Sequence, residues 1–160
     1  MTKTIKVALA GAGAFGLKHL DGIKLIDGVE VISLVGRELD KTKEAAAKYG
    51  VGHATTDLTE SLTLPGLDAV ILATPTQMHA AQALQCLAAG KHVQVEIPLA
   101  DSLEDAEAVV AMQKRTGLVA MCGHTRRFNP SHQFVRKRIL AGQFHIQQMD
   151  VQTYSSGAPT

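Results

Sequence analysis

Short runs of apolar residues alternate with amphipathic segments along most of the chain. The runs are nearly continuous rather than alternating with polar residues, which is typical of strands covered on both faces. They predict the strands Ile5–Ala10, Val29–Val35, Ala69–Ala73, His92–Glu96 and Val119–Cys122, with a weaker strand at Val51–Ala54. The segments between them predict the helices Gly13–Ile26, Asp40–Tyr49, Thr76–Ala89 and Leu103–Thr116. Because strands alternate with helices, we expect an α/β fold with a doubly wound parallel sheet.

The C-terminal part of the chain has a different pattern. Asn129 and Pro130 predict the start of a further helix that ends near Ala141 and Gly142. Residues Ile146–Tyr154 then alternate between apolar and polar, which predicts a half-buried strand of another sheet. Since one strand cannot form a sheet, we expect the start of a truncated second α+β domain. The predicted domains are therefore residues 1–125 and, for the linker helix and first strand of the second domain, residues 126–160.

Composition and charge exclude several classes of protein. The 160 residues are 46% apolar and 19% charged, which is typical of a folded domain. Sixteen basic and fifteen acidic residues nearly balance, and aromatic residues make up only 4%. These values argue against a nucleic-acid partner, and no apolar run approaches the roughly 18 residues of a membrane span. The two cysteines are far apart in the chain, which predicts a protein of the reducing cytoplasm. The seven histidines lack metal-ligand spacing, so no metal site is expected.

The most specific motif lies between the first predicted strand and the first predicted helix. Gly11-Ala12-Gly13-Ala14-Phe15-Gly16 matches the pattern Gly-x-Gly-x-x-Gly. In this setting the first glycine allows a tight turn, the second lets the backbone approach a pyrophosphate, and the third allows close packing of helix and strand. The motif therefore predicts a dinucleotide site, although a glycine-rich turn without a ligand has the same pattern.

The end of the second predicted strand bears on which dinucleotide binds. About 20 residues after the motif, where an acidic residue would bind a ribose 2′-hydroxyl, the chain has Arg37. Arg37, with Lys41 as a second cation, is suited to a 2′-phosphate and favours NADP over NAD. Two alternatives stay open: Arg37 is a solvated surface residue, or the neighbouring Glu38 binds the hydroxyl.

Polar residues also follow the later predicted strands. In an open parallel sheet the carboxyl ends of the strands line the ligand crevice, so these clusters are expected to converge. Taken singly, each has a structural alternative as a helix cap, a surface ion pair or a solvated cation. The clusters are Ala73-Thr74-Pro75 with His79, Glu96-Ile97-Pro98, and His124 with Arg126 and Arg127.

Taken in order, these motifs resemble one family of oxidoreductases, the Gfo/Idh/MocA family. The matching segments are Gly11–Gly16 with His19, Ala73–His79, Ala89–Pro98 and Gly123–Pro130. The resemblance implies a Rossmann domain that binds NAD(P) through Gly11–Gly16, Ala73–Pro75, His79, Glu96 and Ile97. It also implies a second domain with an open-faced sheet, through which full-length members form homo-oligomers.

Within the family, the chain is most similar to dehydrogenases of bacterial aromatic-compound degradation. That resemblance implies NADP-dependent oxidation of a cyclic hemiacetal dicarboxylate, a small-molecule substrate. Arg126 and Arg127 are then expected to bind its carboxylates, and His124 is the candidate catalytic residue that orients the reacting hydroxyl or a water. Two alternatives remain: a sugar or polyol dehydrogenase of the same family, and an NADP-binding module without catalysis.

One departure from the family pattern concerns proton transfer. Most members have Glu-Lys-Pro where this chain has Glu96-Ile97-Pro98, and isoleucine cannot accept a proton. A hemiacetal hydroxyl is more acidic than an ordinary alcohol, so we expect loss of the lysine to cost less for such a substrate.

Overall fold

A computed structural model of the chain describes residues 3–152, and its centre is one six-stranded sheet. The strands are β1 (Ile5–Ala10), β2 (Val29–Val35), β3 (His53–Thr55), β4 (Ala69–Leu72), β5 (His92–Val95) and β6 (Ala120–Cys122). Their order is β3-β2-β1-β4-β5-β6, and every neighbouring pair is parallel. The predicted doubly wound Rossmann sheet is confirmed.

Helices connect the strands and cover both faces of the sheet. They are α1 (Ala14–Ile23), α2 (Leu39–Tyr49), α3 (Leu58–Leu62), α4 (Thr76–Ala88) and α5 (Leu103–Thr116). Ser102 caps α5 by accepting a hydrogen bond from the Asp105 N–H at 3.1 Å, as the Ser-x-x-Asp spacing indicates. Among residues 3–152, none of the helices has the length and apolar content needed to cross a bilayer.

The alternation of side chains along β1 explains why its part from Val7 to Ala10 is apolar at every position. Ala8 and Ala10 are fully buried in the larger core, on the face that α3, α4 and α5 cover. Leu9 points to the opposite face and is fully buried with Leu20 of α1 and Ala46 of α2. Residues 7–10 are buried on both faces, which leaves no position there for a solvated side chain.

Residues 124–152 belong to a second compact unit. It contains a short 3₁₀ helix, Thr125–Phe128, and helix α6, Pro130–Leu140, which Asn129 caps through the Ser131 N–H at 3.0 Å. The predicted strand Ile146–Tyr154 is wrong over residues 146–152, which form no strand, while residues 153–154 lie outside the described residues. The described part of this unit contains no other strand, so the backbone of 146–152 has no ladder partner.

Candidate nucleotide-binding site

The three glycines of the β1–α1 loop have different surroundings. Gly11 has a φ of +108°, and a Cβ there would collide with the Ala73 carbonyl oxygen. A Cβ at Gly16 would collide with the Gly11 carbonyl oxygen, so this glycine lets α1 pack against the loop. A Cβ at Gly13 would meet nothing within 4 Å. Only Gly13 thus borders open space, which is the cradle that a pyrophosphate would fill.

A groove of about 730 Å³ lies at the carboxyl edge of the sheet, beside this loop. It brings together the loop Gly11–Phe15, the end of β2 and the end of β4, which are the segments that flank the topological switch point between β1 and β4. The predicted site residues that line it are Gly11, Ala12, Gly13, Ala14, Phe15, Arg37, Lys41, Ala73, Thr74 and Pro75. Lining residues that the sequence analysis missed include Gly36, Thr42, Thr56, Met78 and Gln82.

At the β2 end of the groove, one acidic and two basic side chains lie together. Lys41 Nζ lies 2.9 Å from Glu38 Oε2, and this contact lowers the pKa of the Glu38 carboxyl through a hydrogen bond and charge attraction. Arg37 is exposed and has no ion pair within residues 3–152. The charge of Glu38 is therefore already matched by Lys41, and Arg37 is the cation that remains available to an anionic ligand.

A glycine shapes the same end of the groove. A Cβ at Gly36 would collide with the Thr42 hydroxyl, which donates a hydrogen bond to the Glu38 carbonyl oxygen at 2.7 Å. Gly36 therefore allows the first turn of α2 to pack close to the end of β2. A single glycine at a strand end is a weak signal, which is why the sequence did not mark it.

His79 does not line the groove. Its ring is fully buried, with Nδ1 lying 2.7 Å from the Pro98 carbonyl oxygen and Nε2 lying 2.8 Å from the Thr74 carbonyl oxygen. His79 thus braces the loop after β4, whose Thr74 hydroxyl donates to Gln82 Oε1 at 2.6 Å within the groove.

Glu96 and Ile97 also lie outside the lining of the groove, at the end of β5. Glu96 is 8% exposed, and His19 Nε2 of α1 lies 2.8 Å from its Oε1. Ile97 is half exposed and precedes Pro98 through a cis peptide bond. The sequence placed His19 next to the glycine motif but did not predict its contact with Glu96.

The second unit contains the remaining candidates. His124 precedes the 3₁₀ helix that carries Arg126 and Arg127, and all three side chains are exposed. A groove of about 650 Å³ within this unit is lined by Arg126, Arg127, Phe128, His132, Gln133, Arg136 and Lys137. Its four cations have no ion pair within residues 3–152. We refer to it as the basic groove; the sequence analysis predicted Arg126 and Arg127 but missed Arg136 and Lys137.

Other chemistry is sparse in the described part of the chain. Burial raises the pKa of the Cys86 thiol to about 12, so this side chain stays protonated and unreactive in the core. Within residues 3–152, no group of three or more His, Cys, Asp or Glu side chains is arranged to hold a metal ion.

Comparison with known proteins identifies close relatives. The chain is 64% identical over 150 residues to a 4-carboxy-2-hydroxymuconate-6-semialdehyde dehydrogenase of Sphingobium sp. strain SYK-6. That match covers 94% of this chain and 48% of the relative. The chain is also 31% identical over 144 residues to a scyllo-inositol 2-dehydrogenase (NAD(+)) of Bacillus subtilis. This second match covers 89% of this chain and 42% of that protein. The chain thus spans about half the length of these curated relatives.

Solved structures with the same fold include a dehydrogenase with bound cofactor. The scyllo-inositol dehydrogenase of Lactobacillus casei, solved with NAD(H) and scyllo-inositol, superimposes with a TM-score of 0.84 at 26% identity. The alignment covers 88% of this chain and 42% of that structure. The family model for the oxidoreductase family with an NAD-binding Rossmann fold matches residues 5–124. The chain therefore belongs to the Gfo/Idh/MocA oxidoreductase family.

Proposed function

We propose that this chain binds NADP and provides the cofactor-binding part of a dehydrogenase. Its proposed reaction is oxidation of the cyclic hemiacetal of 4-carboxy-2-hydroxymuconate-6-semialdehyde to 2-pyrone-4,6-dicarboxylate. The 64% identity to a dehydrogenase named for that semialdehyde supports this reaction over those of inositol dehydrogenases, which match at about half that identity. The observation that carries the cofactor part is the open cradle at Gly13 beside a groove that ends at Arg37.

The groove residues suit the two anionic parts of NADP. The backbone at Gly13 and the N-terminus of α1 would hold the pyrophosphate, because unpaired N–H groups of a helix start attract anions. Arg37 would bind the 2′-phosphate, since guanidinium pairs well with phosphate oxygens. Glu38, the acidic alternative for the NAD 2′-hydroxyl, forms an exposed ion pair with Lys41 at 2.9 Å, whereas Arg37 has no such pair among residues 3–152.

When bound, NADP supplies the hydride acceptor of the oxidation. The side chains of this chain would bind the cofactor and orient it. Thr74, fixed by its hydrogen bond to Gln82, and Pro75 would border the cofactor on the β4 side. Ile97 cannot act as a base. A hemiacetal hydroxyl is more acidic than the hydroxyl of an ordinary alcohol, so its oxidation depends less on a protein base.

The basic groove suits a substrate with two carboxylates. Its cations come from two elements, Arg126 and Arg127 on the 3₁₀ helix and Arg136 and Lys137 on α6. Guanidinium groups bind carboxylates with two parallel hydrogen bonds, so separate arginines can take separate carboxylates. His124, at the start of the 3₁₀ helix, is the proposed residue for orienting the reacting hydroxyl or a water.

The cofactor part is tested by isothermal titration of NADP+ and NAD+ into the chain. We expect tighter binding of NADP+, and we expect Arg37→Gln to weaken it about 10- to 100-fold, the loss that follows from one hydrogen bond to a charged group. Binding of NAD+ should not change. The matched control is Lys43→Met, an exposed cation of α2 outside the groove. Equal affinities for the two cofactors, or an unchanged Kd in Arg37→Gln, would contradict the proposal.

The substrate part is tested with benzene-1,3-dicarboxylate as the probe and benzoate as its singly charged analogue. We expect the dicarboxylate to bind more tightly, and the double variant Arg126→Gln/Arg127→Gln to remove the difference. Arg138→Gln serves as the control, because Arg138 lies over the Phe134 ring at 4.7 Å and does not line the basic groove. The same loss in Arg138→Gln would mean that net charge, and not this groove, binds the probe.

A further inference from the structure

A polar contact joins two segments that are far apart in the chain, α1 and the end of β5. His19 Nε2 lies 2.8 Å from Glu96 Oε1, across 77 positions of sequence. The side chains are mostly buried, with 22% of His19 and 10% of Glu96 exposed. A carboxylate this deep in a protein requires hydrogen-bonding partners, so the contact determines where the Glu96 side chain lies.

The two oxygens of this carboxylate differ in their surroundings. His19 and the Gln94 amide, at 3.4 Å, both approach Oε1. No described residue forms a hydrogen bond with Oε2. Every fully buried side-chain oxygen among residues 3–152 has a hydrogen-bond partner, so Oε2 is not fully buried and contacts solvent. A Cβ at Gly123 would lie about 3.0 Å from Oε1 and 2.9 Å from the Gln94 amide nitrogen. Glycine at position 123 therefore leaves room for the Glu96 carboxylate and the Gln94 amide to lie side by side.

Both members of the pair are tied to segments that line the nucleotide groove. His19 lies on α1, which begins at Ala14, directly after the open cradle at Gly13. The Glu96 N–H donates to the Leu72 carbonyl oxygen at 2.9 Å, and the next residue, Ala73, lines the groove. The pair thus connects the two strand ends on either side of the switch point.

The position of the pair in the sheet indicates which half of a dinucleotide it would face. In a doubly wound sheet each half of the strands serves one mononucleotide. Arg37 follows β2, in the half formed by β1, β2 and β3, whereas Glu96 follows β5 in the other half. A ligand with its 2′-phosphate at Arg37 would therefore have its nicotinamide half on the side of Glu96.

We propose that His19 is a positioning residue that holds Glu96 with Oε2 available to accept a hydrogen bond from the nicotinamide half of NADP. This inference rests on the proposed function, because it requires NADP as the ligand. His19 itself does not touch the cofactor; it occupies Oε1, so that the carboxylate presents its second oxygen. Gln94 assists at the same oxygen, and the contact replaces water that the buried carboxylate would otherwise need.

The test compares NADP+ with adenosine 2′,5′-bisphosphate, which carries the 2′-phosphate but no nicotinamide half. We expect His19→Leu to weaken NADP+ binding about 3- to 10-fold, the loss of roughly one hydrogen bond, and to leave the bisphosphate Kd unchanged. Glu96→Gln should have the same selective effect. His19→Gln, which keeps an N–H donor, should restore much of the NADP+ affinity. His145→Leu, a histidine of the second unit, is the control.

A double-mutant cycle separates positioning from independent contributions. If His19 acts through Glu96, His19→Leu should add little to Glu96→Gln, whereas independent residues would give additive losses. A merely structural role would lower the Tm and affect both ligands alike, so equal weakening of both ligands overturns the inference. An unchanged NADP+ Kd in both His19 variants also overturns it. Neither result contradicts the proposed function. The proposed function is contradicted instead if Arg37→Gln binds NADP+ with an unchanged Kd.

Discussion

A side chain added at Gly13 is expected to abolish cofactor binding without affecting folding. The backbone of Gly13 is extended, with φ of −79° and ψ of −174°, a conformation that valine adopts readily. A Cβ there would meet no protein atom within 4 Å. We therefore expect Gly13→Val to keep the Tm of the parent chain while NADP+ binding becomes undetectable by calorimetry, because the valine methyl groups would occupy the pyrophosphate cradle.

Two other glycines provide the comparison for this prediction. Gly52 also has open space around it but lies outside the groove, so Gly52→Val should change neither the Tm nor the Kd. Gly16→Ala should lower the Tm, because its Cβ would collide with the Gly11 carbonyl oxygen. Normal NADP+ binding by Gly13→Val would show that the pyrophosphate does not lie at this loop.

Side-chain contacts across the sheet are the part of the site that could not be predicted from the sequence. The glycine motif and Arg37 follow local rules, since each lies within a few residues of a strand end. The partner of Glu96 is His19, on another element, and no local pattern encodes that distance. His79 illustrates the same limit, because its neighbours Thr74 and Pro98 come from two different loops. Whether His79 faces a ligand or braces loops depends on burial, which a motif does not reveal.

Among the elements, β1 and β4 are joined at their start by one carboxylate. Asp68 accepts hydrogen bonds from Lys3 Nζ at 2.5 Å and from the Lys6 N–H at 2.9 Å, and these bonds lower the pKa of its carboxyl. A lowered folded pKa adds stability that is present above the unfolded value, about 3.9, and is lost as pH falls through the folded value. We expect Asp68→Asn to reduce the free energy of unfolding at pH 7, and the difference from the parent chain to shrink as pH falls below about 4.

Urea denaturation at pH 7 and at acidic pH measures this effect. Asp27→Asn is the matched control, because Asp27 is an exposed carboxylate with no ion pair among residues 3–152. A difference between Asp68→Asn and the parent chain that stays constant down to acidic pH would mean that charge at Asp68 is not what joins the strands.

The long helices and the buried strands were predicted within a few residues at each end, whereas the shortest helix was not predicted. The bounds of α5 agree at both ends, because a capping serine and a glycine flank an amphipathic run. Helix α3 was missed: it has five residues, too few for a period of 3.6 to be visible, and only the cap from Asp57 to the Thr59 N–H marks it. The alternation in residues 146–152 indicates a strand, but alternation describes two faces and does not supply the hydrogen-bonding neighbour that a strand requires.

At the scale of the whole molecule, charge and binding surfaces are divided between the two units. Residues 1–123 contain 11 basic and 14 acidic residues, whereas residues 124–160 contain five basic and one acidic. The near-neutral total therefore conceals an acidic first unit and a basic second one. A neutral composition argued against polyanionic partners for the chain, yet the basic groove is suited to small anions.

The same division predicts how the chain behaves when the second unit is removed. Both apolar cores consist of residues between Val7 and Ala120, and all residues that line the nucleotide groove lie between Gly11 and Gln82. A polypeptide of residues 1–123 should therefore fold cooperatively and bind NADP+ with a Kd within about threefold of the parent chain, a difference of less than 1 kcal/mol. It should no longer bind benzene-1,3-dicarboxylate, because all the cations of the basic groove are absent. Circular dichroism and calorimetry test both points, and loss of NADP+ binding from a folded fragment would place part of the cofactor site beyond Gly123.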